Sequence, residues 1–231
     1  MRDVTLVITY YDQPKMLAEQ LRHMSAYSAD IKAYWRLIVV DDASPNHPAR
    51  LKTSPGFPVL IFRVLRDVPW NEKGARNIGV NEAPAGWLLL TDIDHLVPEH
   101  TARALIEKEF DSTHFYGFRR VRAPHNEPKE MHGNSWFLTK DLWNRAGGCD
   151  ERLSGHYGWD NEWRGRAEQR SAGMVRLDQE LVFVGPDVID DAIVDLPRRT
   201  PEADANRPAL RKMLSENPGP VTMAFEYERV Q

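Results

Sequence analysis

The sequence predicts one α/β domain with a mostly parallel, Rossmann-like sheet that is covered by helices on both faces. Short apolar runs rich in β-branched residues alternate with segments whose apolar residues have helical spacing. The 231 residues, of which 42% are hydrophobic, can bury a substantial core. Several apolar runs also end in acidic residues, at the edge where open α/β sheets bind ligands. One domain is the first expectation, and two small domains are the alternative.

The elements of the first half follow from this alternation. Residues 4–9 are mostly β-branched and predict a strand, and Met16, Leu17, Leu21 and Met24 then have the spacing of one helix face. The run at 36–40 ends in Asp-Asp-Ala-Ser-Pro, which is typical of a turn. In order, we predict strands at 4–9, 36–40, 59–65 and 86–90, with helices at 14–24 and 74–81.

The composition favours a small substrate. The formal net charge of -4 and the pI of about 6.1 give no overall attraction to nucleic acid or to anionic membranes. Cys149 is the only cysteine, so there is neither an intrachain disulfide nor a cysteine metal cluster. We find no signal peptide and no run of about 20 apolar residues. We therefore expect a soluble, cytoplasmic protein.

Acidic and aromatic residues follow three of the predicted strands. They are Tyr10-Tyr11-Asp12, Asp41-Asp42 and Asp92-Ile93-Asp94. Because the carboxyl ends of parallel strands meet at one edge of the sheet, these side chains should converge there. Asp92 and Asp94 could chelate Mg²⁺ or Mn²⁺, which prefer oxygen ligands and often bind substrate phosphates as well. The alternative is that the two aspartates begin a turn and cap the helix near Pro98.

Five ordered segments carry a family resemblance. VTLVITYYDQP, LIVVDDASP, NEKGARNIGV and WLLLTDIDHLVP together resemble the nucleotide-binding half of family 2 glycosyltransferases with the GT-A fold. HGNSWFLTKDLWNRAGGCDERLSGHYGWDNEWRGRAEQRSAG resembles the acceptor half of that family and of its galactosyltransferase-like relatives. The resemblance covers residues 4 to about 173. It implies a metal-dependent, inverting transferase that uses a nucleoside diphosphate sugar, expected to be a UDP-sugar.

The resemblance also assigns the donor-binding positions. Asp42 would accept a hydrogen bond from a uracil-type imide. One acid of the pair Asp41 and Asp42 is in any case expected to be structural. Lys73 and Arg76 would supply cations at a positive helix end, as a grip for the diphosphate. For Asp41 and Asp42, the alternative is an Asx-turn before Pro45. For Lys73 and Arg76, the alternative is a solvated helix start with ordinary surface charges. The expected donor contacts are Thr9, Tyr10, Asp12, Asp42, Lys73, Arg76, Asn77, Asp92, His132 and Trp159.

A second acidic motif, Trp159-Asp160-Asn161-Glu162, is the candidate for proton transfer. A sugar hydroxyl is a poor nucleophile at neutral pH and needs a positioned base. Asp160 matches the aspartate that has this role in the family, whereas Trp159 stands where an acidic residue often precedes the base. Glu162 is therefore an alternative base or an orienting residue, and Asp160 could also be a helix cap. Trp159 offers a face for a sugar ring or packs in the core.

The third metal ligand is left open by the sequence. Many relatives supply a histidine well after the catalytic aspartate, but the last histidine here is His156. His132, His156, Asp187, Asp190 or water could complete the shell of Mg²⁺ or Mn²⁺. His95 would point away from Asp94 if both lay on a strand, and we expect it to be structural. The cluster Arg119, Arg120 and Arg122 is expected to be a solvated face.

These observations predict a GT-A domain at residues 1–185, with a nucleotide-sugar half at 1–98 and an acceptor half at 99–185. Residues 186–231 would be an acidic tail or a flap over the site. The acceptor is a hydroxyl of unknown origin: a saccharide is expected first, and a protein, a lipid-linked sugar or a modified nucleic acid are alternatives. A nucleotidyltransferase, a sugar-nucleotide hydrolase and a non-catalytic nucleotide- or sugar-binding module are the competing functions.

Overall fold

The computed structural model describes residues 1–156, 159–193, 207–217, 219–222 and 225–231, without the side chains of Asp160 and Asn161. The strands in these residues are β1 (Val4–Tyr10), β2 (Trp35–Asp41), β3 (Val59–Val64), β4 (Trp87–Asp92), β5 (His95–Leu96), β6 (Phe115–Arg122), β7 (Glu127–Lys129), β8 (Trp136–Thr139), β9 (Met174–Phe183) and β10 (Tyr227–Arg229). The helices are α1 (Pro14–Ser25), α2 (Ala29–Lys32), α3 (Glu72–Glu82), α4 (Glu99–Glu107), α5 (Lys140–Ala146), α6 (Asp160–Arg170) and α7 (Arg207–Glu216), with a 3-10 turn at Glu151–Leu153.

The strands form one mixed sheet in the order β10-β3-β2-β1-β4-β8-β6-β9-β5, and β7 pairs with β6. β3, β2, β1 and β4 are parallel, as the alternation of strands and helices predicts. The later strands add antiparallel pairs, of which β4 with β8 joins the two halves of the sheet. The four predicted strands and the two predicted helices of the first half are confirmed, with bounds that differ by one or two residues.

The strand register brings the acidic strand ends together. Thr9 on β1 lies opposite Asp92 on β4, and Tyr10 lies opposite Asp41 on β2. All three strands therefore end at the same edge, where a parallel sheet presents its ligand-binding loops. This register explains why the acidic residues after β1, β2 and β4 lie at one edge of the sheet, as the sequence predicts.

Helices cover both faces of the sheet. On one face, the apolar residues of α1, α2 and α4 pack on the sheet, and on the other face those of α3, α5 and α6 do so. α3 lies close to β1 because Gly79 has no side chain: a Cβ there would be 2.4 Å from Cγ1 of Val7. Among the described residues, no helix combines the length and the hydrophobicity that a bilayer crossing requires.

Two described parts of residues 186–231 are integrated into the fold. β10 pairs with β3 and extends the sheet at its edge. The segment 184–193 packs against the start of α1, where Asp191 accepts hydrogen bonds from the backbone N–H groups of Lys15 (2.7 Å) and Met16 (2.9 Å). Gln13, the residue at the N-cap of α1, makes no side-chain cap bond. Asp191, which is distant in sequence, caps the helix in its place. These two parts do not form a loose tail, which was one of our two expectations; the flap over the site stays a prediction, and residues 194–206 lie outside the described residues.

Asp191→Ala should lower the free energy of unfolding by about 1 kcal/mol, because two N–H groups at the start of α1 lose their acceptor. Urea unfolding of the purified protein would measure this. Asp190→Ala is the matched control, since the carboxylate of Asp190 forms an exposed ion pair with Lys15 and its loss should change stability much less. Equal effects of the two substitutions would contradict the capping role.

Candidate active site

Asp92 and Asp94 lie on either side of a tight turn at the edge of the sheet. Asp92 ends β4, residues 93–94 form the turn, and β5 begins directly afterwards. The side-chain amide of Gln20 donates to the carbonyl groups of Ile93 (2.7 Å) and His95 (2.8 Å), and the N–H of Val184 donates to the carbonyl of Asp94 (2.8 Å). The backbone that carries both carboxylates is therefore held from two sides.

Asp92 is bound by two basic side chains from different elements. Nη2 of Arg76 on α3 lies 2.8 Å from Oδ1 of Asp92, and Nε2 of His132 lies 3.4 Å from Oδ2. Arg76 is buried, and it also contacts Glu72 (2.9 Å) and donates to the carbonyl of Asn134 (3.1 Å). α3 is thereby joined to the acidic pair through Arg76.

Burial raises the pKa of both aspartates to about 6. His132 opposes this shift at both carboxyls, and Asp94 adds to it at Asp92 as a neighbouring like charge. The negative charge of the pair is thus incompletely compensated by the protein's own cations. A divalent cation would stabilise both ionised carboxylates at once.

His95 contacts Asp94, so our expectation that it points away is wrong. Nδ1 of His95 lies 2.6 Å from Oδ1 of Asp94, because residues 93–94 turn and do not continue the strand. Burial lowers the pKa of His95 to about 3, so the neutral ring donates its Nδ1–H to the carboxylate. The ring also stacks on His132, with centroids 4.2 Å apart, and Nδ1 of His132 lies 2.9 Å from Oγ of Ser135. Both imidazoles are therefore held in fixed orientations.

The donor atoms at this edge fit a divalent cation only if the substrate and water complete its shell. Across the described residues, no group of three His, Cys, Asp or Glu side chains is arranged to hold a metal. Asp187 and Asp190, two of the proposed third ligands, form ion pairs with Arg122 and Lys15. Two carboxylates plus phosphate and water oxygens are a usual arrangement for Mg²⁺ and Mn²⁺.

The start of α3 carries buried charges. Lys73 is 6% and Arg76 4% exposed, so the alternative of a solvated helix start is wrong. Burial alone would raise the pKa of Glu72, but the nearby Lys73 and Arg76 outweigh it and hold this pKa below its usual value. Glu72 was not among the predicted site residues, although its spacing of four residues from Arg76 on a helix was a usable signal.

The two acids after β2 have different environments. The carboxylate of Asp41 accepts hydrogen bonds from the N–H groups of Ser44 (2.8 Å) and Ala49 (2.9 Å), so it fixes the following loop. Asp42 is 5% exposed, and its N–H donates to the carbonyl of Tyr10 (2.9 Å) at the end of β1. The prediction that one acid of the pair is structural is confirmed, and that acid is Asp41.

Tyr10 and Asp12 hold the loop at residues 44–47. Asp12 has a left-handed backbone with φ of 50°, and its carboxylate accepts hydrogen bonds from the N–H of Asn46 (3.1 Å), the N–H of His47 (2.7 Å) and the side-chain amide of Asn46 (2.8 Å). The ring of Tyr10 is buried in the core, and its hydroxyl donates to the carbonyl of His47. Both side chains thus shape the loop, and the nucleotide contacts that we expected of Tyr10 and Asp12 stay predictions.

Asn77 links α3 to the second half of the chain. Its side-chain amide donates to the carbonyl of Cys149 (2.9 Å) and to Glu151 (2.8 Å), and its side-chain oxygen accepts from the N–H of Cys149 (2.8 Å). These bonds occupy the amide. The structure therefore gives Asn77 a connecting role, and the nucleotide contact that we expected of it stays a prediction.

Helix α6 carries the second acidic motif. It begins at Asp160, directly after Trp159, and the side chain of Asp160 lies outside the described residues. Both carboxylate oxygens of Glu162 are bound by Arg166, at 2.6 and 2.8 Å. This two-point ion pair holds the carboxylate against Arg166 on the same helix. Of the two roles we left open for Glu162, the geometry favours orientation.

The arginines of β6 are only partly a solvated face. Arg119 is exposed, but Arg120 is half-buried and lies 5.5 Å from the ring centroid of Phe183. Burial raises the pKa of Asp94, and the positive charge of Arg120 acts against this shift. Arg120 therefore belongs to the surroundings of the acidic pair. Because neighbouring residues of a strand point to opposite faces, the two adjacent arginines could be expected to differ.

Solved structures that share this architecture include three that are all distant in sequence. TarS 1-349 from S. aureus in complex with UDP is 14% identical with a TM-score of 0.65, and the match covers 92% of this chain and 72% of TarS 1-349. GalNAc-T7 with UDP, GalNAc and Mn²⁺ is 13% identical with a TM-score of 0.61, covering 80% and 44% of the two chains. The mannosyltransferase PcManGT from Pyrobaculum calidifontis in complex with GDP-Man and Mn²⁺ is 15% identical with a TM-score of 0.57, covering 79% and 57%.

The sequence itself identifies the family. A search of curated proteins gave no match. The family model described as "Glycosyl transferase family 2" matches residues 5–158, which include β1 to β4, the acidic pair and Asn77. The resemblance seen in the sequence and the GT-A architecture agree with this match. The chain is therefore a glycosyltransferase that belongs to glycosyl transferase family 2.

Proposed function

We propose that this glycosyltransferase is metal-dependent and inverting, and that it moves a sugar from a nucleoside diphosphate sugar to an acceptor hydroxyl. The partly buried pair Asp92 and Asp94 carries the proposal, since the two carboxylates lie on either side of one turn at the ligand-binding edge of the sheet and desolvation raises the pKa of both to about 6. A UDP-sugar is the expected donor. TarS with UDP and GalNAc-T7 with UDP and Mn²⁺ support this choice, whereas PcManGT with GDP-Man makes a GDP-sugar the alternative.

Asp92 and Asp94 would hold Mn²⁺ or Mg²⁺ together with diphosphate oxygens and water. When bound, the cation neutralises charge on the departing nucleoside diphosphate. His95 and His132 keep the two carboxylates oriented, through the contacts of 2.6 and 3.4 Å. Supporting contacts of this kind hold metal ligands in place in other proteins.

The start of α3 would bind the diphosphate of the donor. Lys73 lies in its first turn and Arg76 at the start of its second, close to the helix end where the dipole favours an anion. Glu72 keeps both cations close to the helix, at 3.5 and 2.9 Å. On the neighbouring strand ends, Thr9 and Asp42 would meet the nucleoside, and His132 would lie near the donor sugar.

Asp160 would act as the general base. As the acceptor oxygen attacks the anomeric carbon, its proton moves to the Asp160 carboxylate, and the bond between the anomeric carbon and the diphosphate oxygen breaks on the opposite side. In-line attack of this kind inverts the anomeric configuration. Trp159, at the N-cap of α6, would offer an apolar face to a sugar ring.

The acceptor and the setting of the enzyme are further parts of the proposal. A saccharide hydroxyl is the expected acceptor, with a protein, a lipid-linked sugar or a modified nucleic acid as alternatives. We keep the division into a nucleotide-sugar half at residues 1–98 and an acceptor half at 99–185, which Asn77 and Arg76 connect. The cytoplasmic location also stays a prediction.

Asp42→Ala should weaken the binding of UDP by about 1.5–3 kcal/mol, because a hydrogen bond from the base imide to a charged acceptor is lost. Calorimetric titration with UDP would measure the change. Asp42→Asn, which keeps the shape but not the charge, is the companion variant and should lose less. An unchanged dissociation constant for UDP in Asp42→Ala would remove this residue from the nucleotide site.

A thermal-shift panel of nucleoside diphosphates and their sugars, each with and without Mn²⁺, tests the donor assignment, since a ligand raises the melting temperature of the protein that binds it. Product analysis then separates the functions. A transferase releases nucleoside diphosphate only when an acceptor is present, whereas a hydrolase releases free sugar without one and a nucleotidyltransferase releases pyrophosphate. Binding without turnover of any donor would indicate a non-catalytic module.

A further inference from the structure

We propose that Arg166 is a positioning residue that locks α6, the helix that begins at Asp160, onto α3 through the backbone of residues 146–149. The catalytic consequence of this inference rests on the proposed function, whereas the physical link between the two helices does not. The link bears on catalysis because α3 lies on the donor side of the proposed site and α6 carries the candidate base.

Arg166 makes four contacts with two parts of the chain. Nε and Nη2 bind the two carboxylate oxygens of Glu162, one turn earlier on α6, at 2.6 and 2.8 Å. The other side of the guanidinium donates to the carbonyl of Ala146 and, at 2.7 Å, to that of Gly148. Its planar fork thus binds a carboxylate and two carbonyl groups at once, which a lysine ammonium could not reproduce.

The loop that receives Arg166 has a constrained shape. Gly147 and Gly148 end α5 with φ of 83° and 67°, a left-handed conformation that favours glycine. A Cβ at Gly148 would lie 2.8 Å from Oδ1 of Asn77, so the loop passes close to α3. The carbonyl groups of Ala146 and Gly148 therefore face α6, and the backbone of Cys149 faces α3.

Asn77 completes the connection on the α3 side. It binds both the N–H and the carbonyl of Cys149, the residue after Gly148, at 2.8 and 2.9 Å. Arg76, which precedes Asn77 on α3, binds Asp92 at 2.8 Å. A continuous set of hydrogen bonds and peptide units thus runs from the acidic pair through α3 and Cys149 to Arg166 and Glu162.

This connection would set the distance between the donor and the base. Loss of Arg166 would leave Glu162 and the carbonyls of Ala146 and Gly148 without their shared donor, and α6 could shift relative to α3. A misplacement of about 1 Å can cost about 100-fold in rate, while a donor held by α3 and the strand ends would still bind. The expected signature is a lower kcat at a nearly constant donor affinity.

Arg166→Gln tests the inference, and Arg164→Gln is the matched control on the same helix. Arg164 also pairs with a glutamate four residues away, Glu168, but this pair lies at the surface within α6 and, among the described residues, Arg164 makes no hydrogen bond or ion pair with a second element. We expect Arg166→Gln to lower kcat about 100-fold with donor affinity changed less than about 3-fold, and Arg164→Gln to change neither. Arg166→Lys should recover only part of kcat. Near-normal kcat in Arg166→Gln, or equal losses in both variants, would overturn the inference.

A second measurement separates this inference from the proposed function. If the wild type transfers no sugar from any donor, the proposed function fails, and the link is then read from stability. Denaturation midpoints of Arg166→Lys, Asn77→Ala and the double variant form a cycle. Non-additive changes would support the link between α6 and α3, and additive changes would overturn it. Arg166→Lys is used in this cycle so that a misfolded Arg166→Gln does not decide the result.

Discussion

Asp160→Asn should lower kcat by about 100-fold or more and leave donor affinity nearly unchanged. The base acts on the acceptor proton only while the glycosidic bond forms, so its loss removes an interaction of the transition state. The amide keeps the size of the side chain but accepts no proton. Turnover is measured at saturating donor and acceptor, and donor binding by calorimetry on the same preparation.

Glu162→Gln is the comparison for this result, since Glu162 is two residues away on the same helix and pairs with Arg166. As an orienting residue, it should cost less in kcat than Asp160. If Asp160→Asn keeps near-normal turnover and Glu162→Gln abolishes it, the base is Glu162. If both variants keep their activity, the inverting mechanism with a protein base is wrong.

Asp94→Asn should remove most of the activity and the metal-dependent part of donor binding, while the protein folds normally. The substitution replaces one carboxylate oxygen by an amide group, which is a weaker ligand for the metal, and it removes one negative charge. Because burial already raises the pKa of Asp94 to about 6, a neutral side chain at this position should not reduce stability. Turnover and donor binding are measured across a range of Mn²⁺ concentrations.

Asp187→Asn controls for a general loss of negative charge near the site. Asp187 was a candidate third ligand, but it pairs with Arg122 at 2.6 Å. This variant should keep its metal dependence. Wild-type turnover of Asp94→Asn in Mn²⁺ would show that the metal assignment is wrong, and loss of metal dependence in Asp187→Asn would add this residue to the ligands.

The sequence predicted the parallel strands and their acidic ends well, because both depend on local patterns. Apolar runs of strand length define β1 to β4, and Asp42, Asp92 and Asp94 follow from where these runs end. That these ends meet at one edge is a general property of parallel sheets. The family match over residues 5–158 agrees with this reading.

Side-chain partners were harder to predict because they depend on tertiary contacts. Asp41 and Asp42 are adjacent and chemically identical, and only the fold of the loop at residues 44–49 shows which one is structural. Asn77 has its partners about 70 residues later in the chain. His95 was misjudged because a two-residue turn reverses the alternation expected for a strand. In each case, the missing information was a contact distant in sequence or a local departure from regular geometry.

The central claim is that Asp92 and Asp94 bind a divalent cation together with the nucleotide of the donor. Calorimetric titration of the wild-type protein with UDP, first in Mn²⁺ and then after chelation of the metal, tests it most directly. The account predicts tight binding in Mn²⁺ and a large loss of affinity once the metal is removed. Equal affinity for UDP under both conditions would contradict it.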